Sequence, residues 1–161
     1  MIKRISALVA ALLIAVFLPS CTAKKYSDTV ECSKLANAAI GEIPLDNGYA
    51  AFDQSHLKYN FANTDLCDDH AFFYSIETND INEIGILRAK DSENVEELAG
   101  LARSYIAEIK ENNRAFIQSY APNEVNKLDN AKVYILGKYV IYTVLSPNDT
   151  ELVIKKIESL L

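Results

Sequence analysis

Residues 92–120 read SENVEELAGLARSYIAEIKENNRAFIQSY, the longest stretch of helical spacing in the chain. Asn94 with Glu97 can cap its start, and Ala121-Pro122 ends it. The apolar side chains recur every three, four or seven residues, as on one face of an α-helix: Val95, Leu98, Ala102, Tyr105, Ile109 and Phe116. We therefore predict one long helix, around which the rest of the fold is arranged.

Strand patterns flank this helix on both sides. Residues 70–77, HAFFYSIE, have the two-residue alternation of a strand, and a second strand follows over 83–90 after a polar turn. Residues 132–146, KVYILGKYVIYTVLS, contain two more strands joined at Gly137-Lys138. Glycine suits the first central position of a type II′ hairpin turn. The sequence therefore predicts two hairpins.

Helical patterns also lie near both ends of this region. Asp28 and Glu31 have the spacing of a capping box for a helix running to about Gly41. Ser146 and Pro147 are typical of the start of a C-terminal helix. The predicted fold class is α+β: a four-stranded antiparallel sheet made of two hairpins, packed on one face by the long central helix and by N- and C-terminal helices.

The first twenty residues have the layout of a secretory signal. Lys3 and Arg4 precede an apolar run over 5–18, which is shorter than the roughly 20 residues of a spanning helix. Leu18-Pro19-Ser20 directly before Cys21 resembles the lipobox of bacterial lipoproteins, although Pro19 departs from the usual residues at its position. In that family the cysteine carries a diacylglycerol and becomes the first residue. A plain signal peptide beside an incidental cysteine, or an uncleaved anchor, is the alternative.

These features divide the chain into three parts. Residues 1–20 are predicted to be a lipoprotein signal peptide, 21–27 a short tether, and 28–161 a single α+β domain. A lipid on Cys21 would hold the protein on the extracytoplasmic face of the cell membrane, and the membrane is its first predicted partner.

The charge balance argues against nucleic acid as a partner. The chain has 16 Lys and Arg against 22 Asp and Glu, a formal net charge of −6. Removal of residues 1–20 takes away Lys3 and Arg4 and makes the balance more acidic. Nucleic-acid binding depends on Lys and Arg that neutralise phosphates, so we expect none.

Two cysteines remain beside Cys21. Cys32 and Cys67 can form a disulfide outside the membrane, where such bonds persist, or they can pack as two buried thiols. The sequence leaves both options open.

The best cluster of metal-type ligands is the segment 65–70, DLCDDH. Asp68, Asp69 and His70 could gather around a divalent ion, but adjacent residues entering a strand point to opposite faces. We therefore interpret them, together with His56, as surface groups, and predict neither a metal nor a cofactor.

Several of these segments together resemble a known family. They are the run NEIGILRAKDSENVEEL with Glu83-Ile84-Gly85, the pair Tyr120 and Pro122, the Gly137-Lys138-Tyr139 hairpin, and the lipobox. From Val30 to Asp149 the chain is similar to an uncharacterised domain family of small lipoproteins of Firmicutes. The resemblance implies a compact, envelope-facing α+β domain and supplies no catalytic residues.

Motifs of catalysis are missing from the sequence: it contains no G-x-S-x-G and no phosphate-binding glycine loop. Its nine tyrosines suit core positions or the walls of a ligand groove. We predict a membrane-anchored envelope lipoprotein that is a non-catalytic binding or accessory module for an envelope protein or a small ligand. The alternative is an envelope enzyme with an unrecognised active site.

Overall fold

The computed structural model describes residues 24–53 and 55–161. The predicted signal peptide and Cys21 lie outside these residues. Five strands form one antiparallel sheet in the order β1-β2-β3-β5-β4. They are β1 Tyr49–Ala51, β2 Cys67–Ser75, β3 Glu83–Ala89, β4 Lys132–Leu136 and β5 Tyr139–Val144.

Both predicted hairpins are confirmed, and they join along β3 and β5. The sequence predicted four strands, and the described sheet has a fifth, β1. Strand β1 has three residues, too few for an alternation to show, and it pairs with the end of β2. Gly137 in the second hairpin has φ of 61°, the positive angle that its predicted turn position requires.

Over the described residues, five α-helices accompany the sheet: α1 Cys32–Ile40, α2 Ser55–Asn60, α3 Val95–Tyr120, α4 Val125–Asn130 and α5 Pro147–Leu160. The long helix α3 is confirmed with nearly the predicted bounds. The predicted serine cap is also present, because the Ser146 Oγ accepts the Asp149 N–H at 3.2 Å. Helix α4 was not predicted.

Helices cover both faces of the sheet, so the prediction of a single covered face was wrong. The reason lies in the central strands, since all six residues of β5 are buried. We call one side the α3 face; its core includes Phe61, Phe72, Leu87, Leu98, Tyr105 and Tyr142. The other is the α1/α5 face, with Leu35, Ala36, Ile84, Ile86, Ile141, Val153 and Ile157.

Helix α1 begins three residues later than predicted, with its cap position at residue 31 rather than at Asp28. Glu31 occupies the cap position without a side-chain hydrogen bond. Instead, the Cys32 N–H donates to Oδ2 of Asp69, on β2, at 2.7 Å. A carboxylate at a helix N-terminus satisfies a free N–H and complements the helix dipole. The cap therefore comes from a distant strand rather than from the adjoining sequence.

The described part of the predicted tether, residues 24–27, lies against α5. The Ser27 N–H donates to the Leu161 carbonyl oxygen at 2.7 Å, and the Tyr26 hydroxyl donates to Glu158 at 3.2 Å. Lys24 pairs with the same Glu158 at 3.4 Å. These contacts fix where the chain enters the fold.

Candidate functional site

A cavity of about 360 Å³ opens between α3 and the loop that joins β2 to β3. Phe116, at its rim, is 63% exposed. The walls combine aromatic and aliphatic side chains with a few polar groups: Phe52, Tyr74, Ser75, Asp80, Ile81, Asn82, Glu83, Tyr105, Ile109, Asn113, Phe116, Ile117 and Val144. Size and lining are those of a small-molecule site, which is largely apolar with few polar groups.

Glu83 is the central polar group of this cavity. It is the first residue of β3, and its Oε1 accepts hydrogen bonds from two tyrosine hydroxyls, Tyr105 at 2.8 Å and Tyr142 at 2.7 Å. Within the described residues none donates a hydrogen bond to Oε2. Burial raises the pKa of Glu83, and the two tyrosine hydrogen bonds oppose this rise without cancelling it.

A glycine makes this arrangement possible. Gly85 on β3 lies opposite Tyr142 on β5, and a Cβ added at Gly85 would come within 2.0 Å of Cε1 in the Tyr142 ring. The ring therefore lies over the glycine, and from there its hydroxyl reaches Glu83, two residues along the same strand. Glycine within a strand commonly marks such a close approach.

The loop that forms one wall is held by ion pairs. Lys127 of α4 contacts Asp80 and Glu124, each at 2.7 Å. The Ile81 N–H donates to the same Glu124 at 3.2 Å. All three charged side chains are largely buried, so these contacts hold the loop more firmly than surface pairs would.

His56 belongs to the aromatic cluster behind the cavity, and its interpretation as a surface group was wrong. It is 8% exposed, and its ring stacks on Phe52 at 3.9 Å between centroids. Burial first, and the charge of His70 second, lower its pKa to about 4. Its Nε2 has no hydrogen-bond partner among the described residues. The neutral imidazole therefore acts as one more ring in the core.

The residues of the DLCDDH segment have structural partners. Asp68 pairs with Arg88 at 2.8 Å, Asp69 caps α1, and His70 lies beside the Phe72 ring at 5.4 Å. All three line a second depression, of about 500 Å³, at the edge of β2. Over 24–53 and 55–161, no three His, Cys, Asp or Glu side chains are grouped closely enough to hold a metal ion.

The two cysteines of the domain are buried free thiols beside one carbonyl group. Cys67 Sγ donates to the Asp69 carbonyl oxygen at 3.0 Å, and Cys32 Sγ lies 3.5 Å from the same atom. Burial raises the pKa of Cys67 to about 11 and raises that of Cys32 further. As thiols both are therefore weak nucleophiles, and the disulfide stays one of the two options that the sequence leaves open.

Sequence reasoning missed Glu83, Tyr105 and Tyr142 as a group. One signal was present: Glu83 has the same parity in its strand as Gly85 and Leu87, which face the core. A carboxylate in core register is unusual unless it has hydrogen-bond partners. The tyrosines that supply them come from α3 and β5, and one sequence does not show that these elements meet there.

The fold and the cavity define an α+β protein whose antiparallel sheet carries helices on both faces and a side cavity at one end. The model of a domain of unknown function (DUF4358) matches residues 45–145, and the chain belongs to that family. The expected uncharacterised domain is thereby confirmed, over a shorter range than Val30–Asp149.

Every residue that lines the cavity falls inside the matched segment, whereas α1 and α5 fall outside it. No curated protein and no solved structure matches the chain. None of the described helices is long and apolar enough to cross a membrane.

Proposed function

We propose that this protein is a lipid-anchored component of the cell envelope that binds a small molecule in the cavity beside Glu83 without transforming it. The observation that carries the proposal is the carboxylate of Glu83, which two tyrosines hold through one oxygen while the other has no donor among the described residues. A partly desolvated acceptor at the wall of an apolar cavity is a site where a ligand donor adds both affinity and orientation.

The anchor is proposed from the sequence. The basic and apolar start, followed by Leu18-Pro19-Ser20-Cys21, supports lipid attachment at Cys21 and a location on the extracytoplasmic face. A cysteine that carries two acyl chains would hold the domain stably, which a single chain does not do. Through this anchor the membrane is a partner.

The cavity favours binding over catalysis because two of its polar groups, Asp80 and Ser75, are already engaged by residues outside it. Asp80 is paired with Lys127, and the Ser75 hydroxyl accepts the Glu77 N–H at 3.1 Å. Within the described part of the chain, neither His56 nor the two thiols line it. A nucleophile with an adjacent base, the usual requirement of covalent catalysis, is not assembled there.

A second candidate function rests on one observation. A carboxyl group with a raised pKa inside a cavity is the form that acts as a general acid or base. Under this alternative the protein is an envelope enzyme, with Glu83 as the proton-transfer group and Tyr105 as its positioning residue.

Anchoring is tested by the fate of Cys21→Ala. The unchanged protein should incorporate labelled fatty acid and partition into detergent, and the variant should do neither. Cys67→Ala, the same substitution at a cysteine outside the lipobox, is the matched control and should retain both properties. Equal partitioning of the Cys21→Ala variant would contradict the proposed anchor.

Binding is tested with full-length protein and a small-molecule extract of the source envelope. The extract should raise the melting temperature of the unchanged protein, and mass spectrometry of the compound released on unfolding should identify it intact. Ile109→Trp fills the cavity and should abolish the effect, whereas Leu152→Trp, on the exposed surface of α5, should retain it. Release of a chemically altered compound would favour the enzyme instead.

A further inference from the structure

The charge of the cavity points to the class of ligand, on the basis of the binding function proposed above. Among the described residues that line the cavity there is no lysine, arginine or histidine. The negative charge of Asp80, at the cavity wall, is paired with Lys127, but Lys127 also forms an ion pair with Glu124. Glu83 faces no cation at all among its described contacts. The cavity therefore has a negative balance whenever Glu83 is ionised.

The hydrogen bonds at Glu83 leave room for a cation. Tyr105 and Tyr142 are neutral donors, and both act on Oε1. They orient the carboxylate but do not neutralise it. An N–H⁺ donor on Oε2 would form a charge-assisted hydrogen bond, which is about twice as strong as a neutral one. The side chain is thus fixed in advance for a charged donor.

Aromatic rings surround the same position. Phe52, Tyr74, Tyr105 and Phe116 line the cavity, and the Phe52 and Tyr74 rings lie 4.5 Å apart. The face of an aromatic ring attracts an organic cation and also accepts its hydrocarbon part. A carboxylate within aromatic walls is the combination that binds ammonium groups. An anion would meet two carboxylates, Glu83 and Asp80, and no cationic side chain among the described lining residues.

We infer that the cavity binds a small organic cation, an amine or guanidine whose N–H groups donate to Glu83 and whose apolar part lies against the aromatic rings. Ile109 and Ile117 of α3 provide the aliphatic side of the site. Asn113, one turn along α3 from Ile109, lies on an exposed part of the cavity wall and donates to the Ile109 carbonyl oxygen at 3.0 Å.

Three probes of nearly equal shape test this assignment: 2-phenylethylammonium, 2-phenylethanol and 3-phenylpropanoate. Calorimetry with the full-length protein at neutral pH should give measurable binding of the ammonium. The neutral alcohol should bind at least about tenfold more weakly, because it lacks the charge-assisted bond. The carboxylate should show no binding.

Two pairs of variants locate the site. Glu83→Gln should weaken ammonium binding by about tenfold or more. Glu111→Gln, an exposed glutamate of α3 outside the cavity, should leave it unchanged. Asn113→Lys places a competing cation at the wall and should also abolish binding, while Asn112→Lys, its exposed neighbour outside the cavity, should not. The Asn113 pair keeps the test valid if Glu83→Gln does not fold.

The outcomes separate this inference from the proposed function. Equal binding of all three probes, or ammonium binding that survives both Glu83→Gln and Asn113→Lys, overturns the cation assignment and leaves a binding protein. Absence of ammonium binding also overturns the cation assignment. Whether the envelope extract raises the melting temperature then decides the binding function by itself. Failure of both the probes and the extract contradicts both proposals.

Discussion

The two faces of the sheet are built from the same strands but packed in different ways. The α1/α5 face is mainly aliphatic, with small residues such as Ala36 and Ala39 that let α1 approach closely. The α3 face holds a group of contacting rings and a carboxylate, and it ends in a cavity. On β3, Ile84 and Ile86 lie on the α1/α5 face, while Glu83 and Gly85 lie on the α3 face.

This difference indicates that the two faces of the sheet have different roles. A close-packed aliphatic layer stabilises through burial of apolar area alone. A layer that contains a buried carboxylate and an imidazole whose Nε2 has no partner among the described residues gives up part of that stabilisation. The α1/α5 face therefore stabilises the fold. Because that face is closely packed, the α3 face can hold a binding site.

The largest expected effect contrasts the same substitution on the two faces. Leu35→Ala, at a fully buried position of α1, should reduce the free energy of unfolding by about 2 to 5 kcal/mol. Leu101→Ala, at a partly buried position of α3, should cost less than half as much. Chemical denaturation measures both. Leu98→Ala, at a fully buried position of α3, is the matched comparison between the faces, and a loss equal to that of Leu35→Ala would remove the proposed contrast in packing.

A second prediction concerns pH and His56. Its pKa is lowered to about 4, so the fold favours the neutral ring; stability is complete above the unfolded pKa of about 6.5 and falls as pH drops towards 4. The loss is up to about 3 kcal/mol. His56→Phe should remove this dependence, and His70→Asn should retain most of it, because burial is a larger cause of the lowered His56 pKa than the charge of His70.

The contribution of His56 to the pH dependence of stability is measured as a difference between variants. Glu83, whose pKa is raised, contributes with the opposite sign as pH falls, and it is present in all three proteins. The comparison of His56→Phe with the unchanged protein therefore isolates the histidine. An identical pH slope in the two would show that His56 is not held neutral in the fold.

The smallest predicted effect tests the contact between Gly85 and Tyr142. Gly85→Ala should destabilise by about 1 to 3 kcal/mol, because the new methyl group collides with the Tyr142 ring. Tyr142→Leu removes the ring and should make the alanine nearly neutral in the double variant. Strictly additive losses in this double-mutant cycle would mean that the two residues do not share the space.

The elements that the sequence predicts well are those with local causes. Helix α3 follows from its own apolar repeat, and α5 begins where a serine precedes a proline. The second hairpin follows from Gly137. Each of these signals acts over a few residues, so an isolated sequence is enough to find it.

The features that escaped prediction depend on distant partners. Asp69 caps α1 from 37 residues away, and Tyr142 reaches Glu83 across 59 residues. Strand β1 exists because β2 offers it an edge. Helices cover the second face because β5 is buried on both sides. Such contacts come from the topology rather than from spacing along the chain.

The contacts of residues 24–27 with α5 have a consequence for orientation. Tyr26 also packs at the Gly137 turn, where its Cβ would lie 3.1 Å from a Cβ added to the glycine. Cys21 is only three residues before Lys24, a reach of about 10 Å from one to the other. A lipid on Cys21 would therefore keep this end of the sheet close to the bilayer surface.

Glu83 lies at the other end of the sheet. It pairs with Val144, whereas Arg88 of the same strand pairs with Tyr139 beside the Gly137 turn. Five residues of strand separate the two levels, roughly 17 Å. With the sheet upright on a bilayer, the cavity would lie about that much farther from the lipid headgroups than the Gly137 turn does.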